Sequence, residues 1–167
     1  YRSSVRFAYC RAPLETCRIT GDRVSTEAVM MACNCSRLLK LNAGMDKIII
    51  EPTLETPRVV LDRDSSIIEF SGNSLPEDVN TFYAPILEWI DNYVDNPNQQ
   101  TEVSMNFDYY NTSSSKMILR ILERFRDIHR KGFPVVVNWL YMEDDEEMVE
   151  AGEDFAGRLK IPFKFIP

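Results

Sequence analysis

Thr101-Glu102-Val103-Ser104-Met105-Asn106-Phe107-Asp108-Tyr109-Tyr110-Asn111-Thr112-Ser113-Ser114-Ser115-Lys116-Met117-Ile118 changes its period halfway along. Before the change, Val103, Met105, Phe107 and Tyr109 alternate with Glu102, Ser104, Asn106 and Asp108, the two-residue period of a strand with one buried face. After it, Met117, Ile118, Ile121, Leu122, Phe125 and Ile128 recur at the 3.6-residue spacing of an amphipathic helix. Between them Asn111 to Ser115 is a run of residues that cap helices. A strand that feeds a helix through a short capped turn is half of a β-α-β unit, which places the chain in the α/β class.

The flanks continue the pattern. Downstream, Gly132 ahead of Pro134 ends the helix, and Val135, Val137, Trp139 and Tyr141 alternate as the next strand. The acidic run Glu143 to Glu147 opens a further helix through about Lys160, and Pro162 to Ile166 reads as a last short strand. Upstream, Ile48 to Glu51 is an apolar run closed by Pro52, while Arg58 to Leu61 and Ser66 to Phe70 bracket the turn Asp62-Arg63-Asp64 as a hairpin. Ser71 to Ser74 is expected to break the strand pattern, with Ser74 as N-cap and Pro76 and Glu77 in the first turn of a helix. Val79, Phe82, Tyr83, Ile86, Leu87, Ile90, Tyr93 and Val94 form its apolar stripe, Pro85 kinks it or starts its main part, and Asp95 to Gln100 is a polar loop. The expected architecture is a small mixed β-sheet with about three helices packed on it, joined by right-handed crossovers.

Composition sets the outer bounds. The chain has 167 residues, 44% apolar and 27% charged, which suits one compact domain. No run approaches the roughly 18 apolar residues of a membrane span. Charge divides near residue 45: residues 1–44 carry net +4 and residues 45–167 net −11. A body this acidic lacks the basic face that phosphate neutralisation requires, which argues against nucleic acid as a partner. Cys10, Cys17, Cys33 and Cys35 all precede the break, and Cys33-x-Cys35 is too tight for the usual zinc knuckle, with His129 the only histidine. Nothing reads as a secretory signal, and a cysteine-free body fits the reducing cytoplasm. Met45 directly precedes the regular patterning, so residues 1–44 are expected to be an extension outside the fold and residues 45–167 the domain.

The turn at residues 108–116 concentrates the chemistry. The amides of a helix's first turn lack intrahelical acceptors and the helix dipole is positive there, so a phosphate on Thr112 or the adjacent serines would be held by free N–H groups. Lys116 opposes the dipole in the first turn, yet becomes favourable beside a group carrying about −1.5 to −2 charges. Asp108 would repel that group. The plainer alternative is that one hydroxyl caps the helix and Lys116 points into water. A nucleophilic serine is not supported, since His129 lies some 20 Å along the same helix from Ser113 at about 1.5 Å per residue. His129 is better explained as a partner of the last helix carbonyls. No phosphate-binding glycine loop or nucleophile elbow is present, so no catalytic residue and no cofactor is assigned. The acids at 143–147 complement a helix dipole without metal, and their spacing misses the calcium loop. Arg120, Arg124, Arg126, Arg130 and Lys131 give the helix a basic side, with Glu123 and Asp127 placed to pair with it. A second functional class is a small ligand-binding or enzymatic α/β domain that uses a strand-end crevice at Asn111 to Ser115.

Ser71-Gly72-Asn73-Ser74-Leu75-Pro76-Glu77 before a helix, Tyr109 to Lys116 at a strand-to-helix turn, and Val137-Asn138-Trp139-Leu140-Tyr141 before an acidic segment resemble, in this order, the SiaC family of bacterial regulatory phosphoproteins. The resemblance spans about residues 46–166; Leu75 stands where the family often has an aromatic residue, and residues 1–44 have no counterpart. It implies a fold similar to the anti-sigma-factor antagonists and a function by partner switching. Thr112 would be phosphorylated by a serine/threonine-type protein kinase and restored by a phosphatase. The unphosphorylated protein would bind and activate a diguanylate cyclase, linking it to cyclic-di-GMP signalling and biofilm regulation. Asn111, Ser113, Ser114, Ser115 and Lys116 would surround the phosphosite, with Tyr110, Arg120 and Arg124 as candidates for partner contact.

Overall fold

A computed structural model describes residues 47–167. The four cysteines and the expected extension at residues 1–44 lie outside the described residues. The elements run β1 (Ile48–Ile50), β2 (Arg58–Asp62), β3 (Ile67–Ser74), α1 (Val79–Asp95), β4 (Thr101–Tyr110), α2 (Thr112–Arg130), β5 (Val135–Leu140), α3 (Glu146–Leu159) and β6 (Phe163–Ile166). They form one six-stranded mixed sheet in the order β1-β2-β3-β4-β5-β6. β1, β2 and β3 pair antiparallel, and β3 through β6 pair parallel. The expected α/β architecture of a mixed sheet with three helices is therefore the observed one.

The strand order explains where the helices lie. Three successive crossovers each step to the next strand in the same direction, and because parallel crossovers share one hand, this order puts every helix on one face. Burial follows that division: Val103, Met105 and Phe107 of β4 are buried, whereas Glu102, Asn106 and Asp108 are exposed. The core lies between the inner face and the helices, with Phe70, Met105, Trp139, Ile118, Ile121, Leu122 and Phe125 almost fully enclosed. α1 meets the sheet through Tyr83, Ile86, Trp89, Ile90 and Tyr93. The strand order never reverses, so the sheet has no topological switch point, the usual place for a ligand crevice in an open α/β sheet.

Three boundaries differ from the sequence expectation. Ser71-Gly72-Asn73-Ser74 does not break β3 but completes it, because Gly72 takes a φ of +89° and lets the strand pass a register shift against β4. Ser74 is not the N-cap of α1: its hydroxyl is buried and bonded to the Tyr83 hydroxyl at 2.7 Å. Asp78 caps instead, accepting from the amides of Asn80 and Thr81 at 3.0 and 3.1 Å, so Pro76 and Glu77 precede the helix. The Thr81 hydroxyl and amide hold the Asp78 carboxyl below its ordinary pKa. Pro85 lies inside α1 and does not start it. α3 begins only at Glu146, since Asp145 accepts from the Met148 amide at 2.9 Å as its cap, which leaves Glu143 and Asp144 in the preceding turn.

Candidate functional site

The site is built where β4 ends. Ser71 pairs with Asn106 and Gly72 with Phe107, but Asn73 pairs with Tyr109 and Ser74 with Tyr110, so Asp108 is an extra residue without a partner on β3. Such a bulge shifts the side-chain alternation by one. Tyr109, expected on the buried face, is consequently 56% exposed. Tyr110 turns inward instead, half-buried and edge-on to Phe107 with ring centroids 5.8 Å apart. Burial, helped by the charges of Asp145 and Asp154, pushes its phenol up to about 12.

The chain then enters α2. Asn111 N–H donates to the Ser74 carbonyl at 3.1 Å, which fixes the start of the helix against the end of β3. The Asn111 side-chain oxygen accepts from the Ser114 amide at 2.8 Å, and its carbonyl accepts from the Ser115 amide at 2.9 Å. The cap is thus Asn111 and not one of the hydroxyls that follow it. Thr112 is the first helical residue and is exposed, as is Ser113. Their amides have no intrahelical acceptor by position and face the site with the positive end of the helix dipole.

The neighbouring hydroxyls separate by burial. Ser115 is half-buried and Ser114 fully buried. Ser114 Oγ lies near the Tyr83 hydroxyl but completes no hydrogen bond of its own. Burial pushes the Tyr83 phenol up to about 12, opposed by the Ser74 and Ser114 hydroxyls. The hydroxyls of Ser74, Tyr83 and Ser114 therefore form a small polar group beneath the turn, contributed by β3, α1 and α2. The sequence singled out the serines for capping or phosphate binding; only spatial proximity shows that one of them belongs to the interior.

Basic residues on α2 divide in the same way. Lys116 is exposed and forms no ion pair among the described residues. Arg120 is exposed, with its guanidinium 3.8 Å from Met117 Sδ. Lys116 and Arg120 lie four and eight residues beyond Thr112, on one side of the helix. Arg124 is engaged by Asp91 of α1, Arg126 by Glu123 and Asp127, and the Lys131 ammonium by the Val94 carbonyl. His129, expected to bond the last helix carbonyls, has its Nδ1 buried without a partner. Among the described residues no group of three or more His, Cys, Asp or Glu is placed to hold a metal ion, and no helix is long and apolar enough to cross a membrane.

Known proteins resemble this chain in sequence and fold. Residues 50–167 match the sequence model of the SiaC family of regulatory phosphoproteins. The chain is 27% identical over 119 residues to an uncharacterised protein of Pseudomonas aeruginosa strain UCBPP-PA14, a match covering 71% of this chain and 94% of that protein. The crystal structure of apo-SiaC from Pseudomonas aeruginosa superposes with a TM-score of 0.67 at 27% identity, over 74% of this chain and all of that one. SiaC in complex with the diguanylate cyclase SiaD, which it activates, gives the same TM-score and identity over 71% of this chain and 98% of that one. With the family's sequence model matched over most of its length and its fold matched to two SiaC structures, the chain belongs to the SiaC family of regulatory phosphoproteins.

Proposed function

We propose that this protein is a non-enzymatic, phosphorylation-controlled activator of a diguanylate cyclase, acting in the cytoplasm. Unmodified, it binds the cyclase and raises cyclic-di-GMP synthesis, with biofilm behaviour as the downstream response. A serine/threonine-type kinase phosphorylates Thr112 and so releases the cyclase, and a phosphatase restores the active form. The partner class is supported by the relative that activates SiaD in a crystallised complex.

The observation that carries the switch is the freedom of the Thr112 hydroxyl: Asn111 does the capping, so Thr112 is exposed and available at the positive end of a 19-residue helix. A dianion added there gains the free amides of the first turn and the neighbouring Lys116. It also burdens any partner surface pressed over it with the desolvation of about two charges, which is enough to expel that partner. Ser113 is the other exposed hydroxyl of the first turn, whereas burial removes Ser114 from a kinase's reach.

The test is cyclic-di-GMP production by each purified diguanylate cyclase of the source organism, with and without this protein. Wild type and Thr112→Ala stimulate one of them, and Thr112→Glu does not. Absence of stimulation by the wild type for every cyclase contradicts the reading.

A further inference from the structure

The bulge at Asp108 has a consequence for partner recognition. It exchanges the two tyrosines before the phosphosite, so Tyr110 packs on Phe107 and Tyr109 stands in solvent at 56% exposure. Leu54, 90% exposed, is brought alongside: its carbonyl accepts from the Asn73 side chain at 3.5 Å, and Asn73 is the register partner of Tyr109. An exposed tyrosine is a residue type enriched at the energetic centre of interfaces, and the exposed leucine beside it extends the apolar area around such an anchor. We infer that Tyr109, turned outward by the bulge at Asp108, is the aromatic anchor of the contact with the cyclase, with Leu54 beside it.

This rests on the proposed function, and the size of an interface carries it. A partner that senses phosphate on Thr112 by contact must cover Thr112. A standard interface covers about 800 Å² on each side, which centred on Thr112 is a disc of roughly 16 Å radius. Three Cα steps place Tyr109 within about 11 Å of Thr112, inside that disc. Phe133 is also an exposed apolar residue, but it follows the far end of α2, roughly 28 Å away along the helix axis, and lies outside. The occupant is therefore a cyclase surface that offers apolar side chains to Tyr109 and Leu54 and comes close enough to Thr112 to be expelled by a phosphate.

Calorimetric titration of the unphosphorylated full chain into the cyclase that it activates is the test. Tyr109→Ala weakens binding by at least about tenfold, Leu54→Ser weakens it several-fold, and Phe133→Ala stays within twofold of wild type, all with thermal midpoints close to wild type. Binding by Tyr109→Ala within twofold of wild type overturns the anchor while leaving the proposed function standing. Equal loss from Phe133→Ala overturns the localised footprint. A wild-type chain that activates no cyclase overturns the proposed function itself and the anchor with it.

Discussion

Asn111 Oδ1 accepts the Ser114 amide at 2.8 Å, and this single bond makes Asn111, not Thr112, the cap of α2. A capping side chain replaced by alanine costs about 0.5–2 kcal/mol. Asn111→Ala should lower stability by about 1 kcal/mol in urea titration. Thr112→Ala, at an exposed position with no capping duty, should stay within about 0.5 kcal/mol of wild type. The same Thr112→Ala variant should retain partner binding and lose kinase labelling, read by phosphopeptide mapping.

Tyr83 holds the interior beneath that turn. Its hydroxyl is bonded to Ser74 Oγ at 2.7 Å, and Ser114 Oγ is buried nearby. Tyr83→Phe keeps the ring and strands the Ser74 hydroxyl in a dry site, a loss of about 1–3 kcal/mol. Chemical denaturation at neutral pH measures it. Tyr83→Phe combined with Ser74→Ala should recover part of the loss, since both partners are then apolar.

Gly152 should not accept a side chain. A Cβ built there lies 2.7 Å from both the Trp139 and Phe165 rings, and Trp139 is fixed by donating Nε1–H to the Met148 carbonyl at 2.9 Å. Alanine gains up to about 1 kcal/mol in helix propensity but meets overpacking of about 1–3 kcal/mol. With a pinned indole as the obstacle, overpacking wins, and Gly152→Ala should lower the thermal midpoint.

Asp62 predicts the acid limb of stability. The Ser65 amide and Lys47, whose ammonium lies 2.9 Å away, lower its carboxyl from 3.8 to about 2. A depressed folded-state value stabilises the protein above the unfolded value and ceases to do so as pH falls through the folded one. Urea midpoints of wild type and Asp62→Asn should differ at pH 6 and converge between pH 4 and about 2.

The long periodic elements were legible in the sequence because burial on one face writes a period of 2 or 3.6 directly into residue type. β4, α2 and β5 follow that pattern over nearly their whole length. Local competition was not legible. Ser74 and Asp78 are both good caps, and only the Tyr83 hydroxyl, nine residues from Ser74, removes Ser74 from the contest. The register shift at Asp108 leaves no mark in β4 itself: its permissive residue, Gly72, sits on the neighbouring strand. Hence the hydroxyl-rich turn from Thr112 to Ser115, with Lys116 behind it, was legible from local chemistry, while the exchange of Tyr109 and Tyr110 needed the pairing of two strands distant in the chain.

On the proposed function, a phosphate on Thr112 separates this protein from its cyclase. The most direct measurement compares cyclase affinity of the unmodified and singly phosphorylated chains, with the modified residue located by peptide mass spectrometry. One phosphate, on Thr112, and binding weakened by at least about tenfold are the expected results. Equal affinity of the two forms, or a phosphate that maps elsewhere, would contradict it.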